Sequence, residues 1–118
     1  MSDFAAITEE LTRRLKRAAP GLRVIREGPE GIELMSDWVH PRKPGEAVWF
    51  GGVRLGKAYV SYHLMPVYSH PALAAKISPA LKKRMQGKSC FNFKAADQAL
   101  FDELEALTRE GAALYAKT

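Results

Sequence analysis

The sequence predicts a single α+β domain over residues 1–118, with an antiparallel sheet of about five strands packed by N-terminal and C-terminal helices. Both ends of the chain carry apolar residues at helical spacing, and the middle carries short strand-like runs separated by turn residues. The links between these runs are too short for parallel crossovers. A length of 118 residues with 47% hydrophobic content suits one domain with its own core.

The first predicted helix covers residues 2–19. Its apolar side chains recur every three or four positions and therefore share one face: Phe4, Ile7, Leu11, Leu15 and Ala18. Ser2 is the predicted N-cap, and Pro20 with Gly21 ends the helix.

Four strands are predicted next, because β-branched and aromatic residues lie between turn residues at positions 22–26, 32–36, 47–53 and 58–65. A loop over residues 40–45 joins the second strand to the third. If residues 54–57 link the last two strands, Val53 pairs with Ala58 and alternate side chains point to opposite faces. One face then carries Trp49, Gly51, Val53, Val60, Tyr62 and Leu64, and the other carries Val48, Phe50, Gly52, Tyr59, Ser61, His63 and Met65.

Helical signals follow Pro66. Ser69 can cap a helix over residues 71–77, and Ser78 with Pro79 opens a helix over residues 80–86 that Gly87 closes. Residues 89–94 form a fifth predicted strand, and residues 97–116 form the longest helix. We expect the apolar faces of the two long helices to be mostly buried, namely Phe4, Ile7, Leu11, Leu100, Leu104, Leu107 and Leu114.

Charge is distributed unevenly along the chain, whose formal net charge is +5. Residues 61–94 contain six basic side chains and no acidic one, whereas residues 95–118 contain five acids and two bases. This pattern fits an anion site, a nucleic-acid contact, or two solvated faces that attract each other. Solvation is the commonest role of surface charge, so nucleic acid is not the expected partner. Weak binding of an anion or of nucleic acid through residues 76–94 is kept as an alternative function.

Metal binding and catalysis have little support in the residue pattern. His40, His63, His70 and Cys90 show none of the close spacings of a structural zinc site, so no metal and no cofactor are expected. Cys90 with His63 is the one conceivable thiolate–imidazole pair, and no acid near Ser61 would orient a base. Cys90 is expected to pack as a small apolar residue, and no catalytic residue is predicted.

Three segments carry a family resemblance: GKAYVSYHLMP at residues 56–66, ISPALKK at residues 77–83 and GKSCFNFK at residues 87–94. They resemble the YdhG-like family of small bacterial proteins, a domain of unknown function, and the resemblance covers roughly residues 20–116. It implies an α+β fold with an antiparallel sheet packed by helices, in a cytosolic protein without known catalysis. Some relatives are described as frataxin-like iron chaperones, which gives a second alternative function.

The predicted function is a non-enzymatic module that binds a small anionic or aromatic ligand between the sheet and a covering helix or loop. Apolar walls with a few convergent polar groups are typical of small-molecule pockets. The predicted site residues are Phe50, Tyr59, Ser61, His63 and Asn92, with Lys88 at the rim. The alternative for the same hairpin is a helix-packed core whose polar tips reach loops or water. We expect a cytoplasmic location and no membrane contact. A homodimer is compatible with the sequence.

Overall fold

The described residues of this computed structural model, 3–39 and 47–116, form helices at both ends of the chain and strands between them. The helices are α1 (Phe4–Ala18), α2 (Pro66–Ser69), α3 (Pro71–Ala74), α4 (Pro79–Lys82) and α5 (Gln98–Ala116). The strands are β1 (Arg23–Gly28), β2 (Gly31–Val39), β3 (Ala47–Leu55), β4 (Val60–Leu64), β5 (Met85–Gln86) and β6 (Cys90–Phe93). The predicted loop over residues 40–45 and the predicted cap Ser2 lie outside the described ranges.

The strands form one antiparallel sheet in the order β1-β2-β3-β4-β6-β5. The prediction of a single α+β domain with an antiparallel sheet packed by terminal helices is therefore confirmed. The sheet of the described chain has six strands instead of about five. The additional strand is β5, which pairs with β6 where the sequence predicted the end of a helix.

The long helices α1 and α5 pack against each other and against one face of the sheet, which we call the inner face. The predicted apolar stripes are buried in this core at Ile7, Leu11, Leu100, Leu104 and Leu107. Phe4 and Leu114 lie near helix ends and are only partly buried against the core. No helix within residues 3–39 and 47–116 is long and apolar enough to cross a membrane.

The helix ends show which capping signals were correct. Asp3 caps α1, because its carboxylate accepts a hydrogen bond from the Ala6 backbone N–H at 3.0 Å. Ser78 caps α4 as predicted, since its hydroxyl accepts from the Leu81 N–H at 3.1 Å. The predicted helix over residues 71–77 is shorter than expected, and α3 is preceded by α2.

Polar contacts join α5 to both neighbouring layers. Glu105 accepts hydrogen bonds from Arg17 at 2.7 and 2.9 Å and from Arg14 at 3.1 Å, which ties α5 to α1. The hydrogen bond from Arg17 lowers the pKa of the Glu105 carboxyl below its ordinary value. Toward the sheet, the buried hydroxyls of Tyr62 and Thr108 share a hydrogen bond. The core is therefore joined by specific polar contacts as well as by apolar packing.

The register of β3 and β4 differs from the predicted one. Val53 pairs with Tyr62, and the link consists of residues 56–59, where the Gly56 N–H donates to the Tyr59 carbonyl at 3.0 Å. The shift relative to the predicted pairing is an even number of residues, so it leaves Ser61 and His63 on the same face as before. This face points away from the helical core, and we call it the outer face.

A β-bulge at Phe50 reverses two of the predicted faces. Leu34 pairs with Gly51 and Met35 with Trp49, so Phe50 is the extra residue of β3. Phe50 is fully buried on the inner face, with its ring centroid 5.6 Å from that of Tyr115. Trp49 lies on the outer face, against His63. The predicted assignment of Phe50 to the site face and Trp49 to the opposite face was wrong.

Candidate functional site

The outer face contains a concave surface with a volume of about 630 Å³ between the β1–β2 hairpin and the centre of the sheet. This size is within the range of small-molecule sites. The tip of the β1–β2 hairpin closes one end. The charged and aromatic residues of the lining are Arg26, Glu27, Glu30, Glu33, Trp49, Arg54 and His63. We call this concavity the sheet-face cleft.

Gly52 forms the floor of the sheet-face cleft. It pairs with Glu33 on one side and with His63 on the other, so the row across the three strands has no side chain at its centre. A Cβ atom on Gly52 would lie 2.3 Å from the Ile32 carbonyl oxygen, which is backbone. Glycine is therefore required for the close approach of β2 and β3, and the row between Glu33 and His63 has no side chain at its centre.

Trp49 and His63 form the aromatic wall of this cleft. Their ring centroids lie 5.6 Å apart with the planes tilted by 54°. The Trp49 indole N–H is buried and has no hydrogen-bond acceptor within the described residues. A buried N–H without an acceptor is unfavourable by about 1–3 kcal/mol, so an acceptor brought by a ligand would be stabilising there.

Burial, and secondly the neighbouring charges, shift the pKa of His63. Burial lowers the pKa of His63, the positive charge of Arg54 lowers it further, and Glu33 raises it. The imidazole is therefore neutral at pH 7 and has one donor and one acceptor nitrogen. Its Nε2 lies 3.9 Å from the Cys90 sulfur, which is its pairing partner on β6.

A polar cluster continues the outer face from His63 toward β5. The Ser61 hydroxyl donates to Asn92 Oδ1 at 3.0 Å, and the Cys90 thiol donates to the same oxygen at 3.3 Å. Asn92 Nδ2 in turn donates to Gln86 Oε1 at 2.6 Å. These side chains satisfy one another, so Ser61 and Asn92 support the wall of the cleft more than they offer groups to a ligand.

Cys90 has the properties of a protonated, weakly nucleophilic thiol. Burial raises the pKa of Cys90, although the hydrogen bond with Ser61 lowers it in part. The pKa of His63 is lowered, and both shifts favour the neutral thiol and neutral imidazole over an ion pair. The two residues are adjacent, as the sequence suggested, but their environment does not activate the sulfur.

Tyr59 and Lys88 lie apart from the sheet-face cleft. Tyr59 belongs to the β3–β4 link and lines a second concavity of about 460 Å³ together with Lys83, Arg84 and Lys94. Lys88 lies in the β5–β6 turn, with its Nζ 5.5 Å from the centroid of the Tyr68 ring. The structure therefore brings Ser61, His63 and Asn92 to one face. Asn92 also borders the second concavity together with Tyr59, whereas Phe50 lies on the inner face.

Sequence reasoning missed Glu33, Trp49, Gly52 and Arg54 as cleft residues. The Gly51-Gly52 pair was the available signal, because glycines inside a strand indicate a bulge or close backbone approach. The glycine pair directly follows the bulge at Phe50, where Phe50 and Trp49 lie on the faces opposite to those predicted.

The described residues contain no group of three or more His, Cys, Asp or Glu side chains that could hold a metal ion. His70 contacts Ser69 through its Nδ1 at 2.9 Å and lies beside Trp38, whereas His40 is outside the described ranges. Glu105, the most buried carboxylate of α5, is surrounded by arginines. This arrangement neutralises the carboxylate and offers no open oxygen set for iron.

Comparisons with protein-family models, with curated proteins and with solved structures find no match to this chain. The resemblance to the YdhG-like family stays a prediction from the sequence. The segments on which it rests, residues 56–66, 77–83 and 87–94, contribute β4, α4 and β6 respectively. Two of these elements, β4 and β6, carry the polar cluster of the outer face.

Proposed function

We propose that the protein is a non-enzymatic binding module that holds a small planar ligand with an anionic group in the sheet-face cleft. The observation that carries this proposal is the side-chain-free floor at Gly52, placed between Glu33 and His63 and bordered by the Trp49 ring. A floor without a side chain at its centre, beside aromatic rings, favours a planar ligand, because such a ligand can contact backbone and ring together.

Arg54 supplies the preference for an anion. It lines the cleft, it is exposed, and it forms no ion pair with any described residue. The lining also contains three carboxylates. Glu33 lies 3.9 Å from Arg26 and Glu27 accepts from Lys16 at 3.0 Å, which partly neutralises both charges, and Glu30 lies at the hairpin tip. A carboxylate or sulfonate on the ligand therefore has an unpaired guanidinium to bind, and such charge-assisted hydrogen bonds are the strongest available here.

His63 and Trp49 add directional contacts. The neutral imidazole can donate or accept, and the Trp49 N–H gains an acceptor if the ring turns toward a ligand oxygen. The ligand is thus held by one ionic contact, one histidine contact and an apolar ring surface.

The neutral state of Cys90 supports the non-enzymatic part of the proposal. A thiol with a raised pKa that already donates to Asn92 is a poor nucleophile. The proposal places the protein in the cytoplasm, where its single cysteine would stay reduced. It also includes membership of the YdhG-like family, which rests on the sequence segments 56–66, 77–83 and 87–94.

Isothermal titration with 2-naphthoate, a planar aromatic carboxylate, tests this function, and neutral 2-naphthamide is the charge control. We expect saturable binding of 2-naphthoate, and about tenfold weaker binding of 2-naphthamide, because loss of one charge-assisted contact has about this effect. The variant Arg54→Met should show the same loss for 2-naphthoate, whereas Lys57→Met, which removes an exposed charge outside the cleft, should not. Equal affinity of the two compounds, or equal effects of the two variants, would contradict the proposal.

A further inference from the structure

The basic residues of positions 82–94, around β5 and β6, are not neutralised by the acidic helix α5. Glu105 binds Arg14, Arg17 and Arg109, and Asp102 also binds Arg14. Asp102 and Glu105 are therefore paired with arginines of α1 and of α5, and not with the basic residues of positions 82–94.

The other two acids of α5 are also engaged. Glu110 pairs with Lys76 at 2.6 Å. Glu103 accepts hydrogen bonds from the backbone N–H and the hydroxyl of Ser78 at 2.8 and 2.7 Å. The sequence indicated that the basic residues of positions 76–94 and the acidic helix attract each other. Among these basic residues, Lys76 alone forms an ion pair with α5.

The cations that remain unpaired meet at the second concavity. Lys83, Arg84 and Lys94 line it, and none of them forms an ion pair with a described residue. Its lining, which also includes Tyr59 and Asn92, contains no carboxylate. We call this concavity the basic cleft. Like charges around one concavity raise its potential, and a bound anion lowers the free energy of such an arrangement.

The backbone around the basic cleft is fixed by the sheet. The Arg84 carbonyl accepts from the Asn92 N–H at 2.8 Å, which joins the segment after α4 to β6. Met85 pairs with Phe91, and Phe93, directly before Lys94, is buried in the core. The three cations therefore start from ordered backbone, so less conformational entropy is lost when they bind a common anion.

We propose that the basic cleft is a second binding site, distinct from the sheet-face cleft, for a diphosphate-bearing ligand of nucleotide size. Three unpaired cations match the charge of a diphosphate, and a volume of about 460 Å³ admits an attached ring system. Tyr59 lines the same cleft and provides an aromatic surface for that ring. This proposal is independent of the ligand in the sheet-face cleft.

Isothermal titration of the full chain with pyrophosphate and with ADP, at about 0.15 M salt where exposed charges are largely screened, tests the site. The double variant Arg84→Met with Lys94→Met is compared with Lys82→Met with Lys88→Met, which removes the same charge from residues outside the cleft. We expect the first variant to weaken binding of both ligands at least tenfold, and the control to weaken it less than twofold. Equal losses in both variants, or no saturation of the wild type below about 1 mM, would overturn the proposal.

The variant Tyr59→Leu tests the contact between the tyrosine ring and the ligand. Titration with an eight-nucleotide thymidine strand tests whether the phosphates belong to a small molecule or to nucleic acid. ADP should bind more tightly than pyrophosphate, and Tyr59→Leu should remove that difference. If the strand binds more tightly than ADP and is weakened equally by both double variants, a diffuse nucleic-acid surface replaces the proposed cleft. Thermal melts of each variant establish that the compared proteins are folded.

Discussion

The buried hydrogen bond between Tyr62 and Thr108 should make a measurable contribution to stability. Both side chains are fully buried, and Thr108 also donates to the Leu104 carbonyl at 2.7 Å. Tyr62→Phe removes the phenolic hydroxyl without changing the ring, so Thr108 loses one partner but keeps the other. We expect the free energy of unfolding to fall by about 1–2 kcal/mol, the usual effect of leaving a buried polar group partly unpaired.

The pH dependence of this variant gives a second, independent readout. Burial raises the pKa of Tyr62 well above its ordinary value of about 10, so the folded chain keeps a proton that the unfolded chain releases. The contribution of Tyr62 to the free energy of unfolding is fully present below about pH 10. As pH rises above about 10, the free energy of unfolding falls by about 1.4 kcal/mol per pH unit. Tyr62→Phe lacks this group, so its stability should fall less steeply between about pH 10 and 11.

Urea denaturation followed by circular dichroism measures both effects. Thr108→Val is the matched variant, and the double variant should cost less than the sum of the single ones, because the two residues share one interaction. A change below about 0.5 kcal/mol in Tyr62→Phe, together with an unchanged slope above pH 10, would refute the reasoning.

Three further predictions concern the core and the outer face. Leu104→Ala should lower the free energy of unfolding by about 2–5 kcal/mol in urea denaturation, because Leu104 is only 1% exposed; a loss below about 0.5 kcal/mol would mean that α5 is peripheral. Cys90 should react with Ellman's reagent at pH 7.5 about tenfold more slowly in the folded chain than in the urea-unfolded chain, and an equal or faster rate would show an activated thiol. His63→Ala should cost about 1 kcal/mol or less in thermal melts, since its one polar contact among the described residues is the long contact with Cys90, and should weaken 2-naphthoate binding. A loss of about 2 kcal/mol with unchanged binding would make His63 a structural residue.

The long helices and the grouping of Ser61, His63 and Asn92 could be predicted because each depends on simple periodicity. A repeat of three and four residues places Leu100 and Leu104 on one face of α5. Alternation along β4 places Ser61 and His63 on one face, and pairing with β6 brings Asn92 opposite Ser61. These features follow from local sequence and from the antiparallel order of the strands.

The composition of the cleft could not be predicted because it depends on one irregularity. A single extra residue at Phe50 moves Trp49 to the outer face, and the Gly51-Gly52 pair indicates a bulge without fixing its position. The strand β5 has two residues, Met85 and Gln86, which is too short to show any period. Its pairing is decided by contacts with β6.

The central claim, that a planar anion binds at the sheet-face cleft, is tested most directly by the indole N–H resonances in nitrogen-15 NMR spectra. The chain has two tryptophans: Trp49 lines the cleft, whereas Trp38 is stacked on Tyr115 in the core at a centroid distance of 4.4 Å. Titration with 2-naphthoate should shift the Trp49 resonance saturably and leave that of Trp38 in place. Equal shifts of both resonances, or a shift of Trp38 alone, would contradict the account.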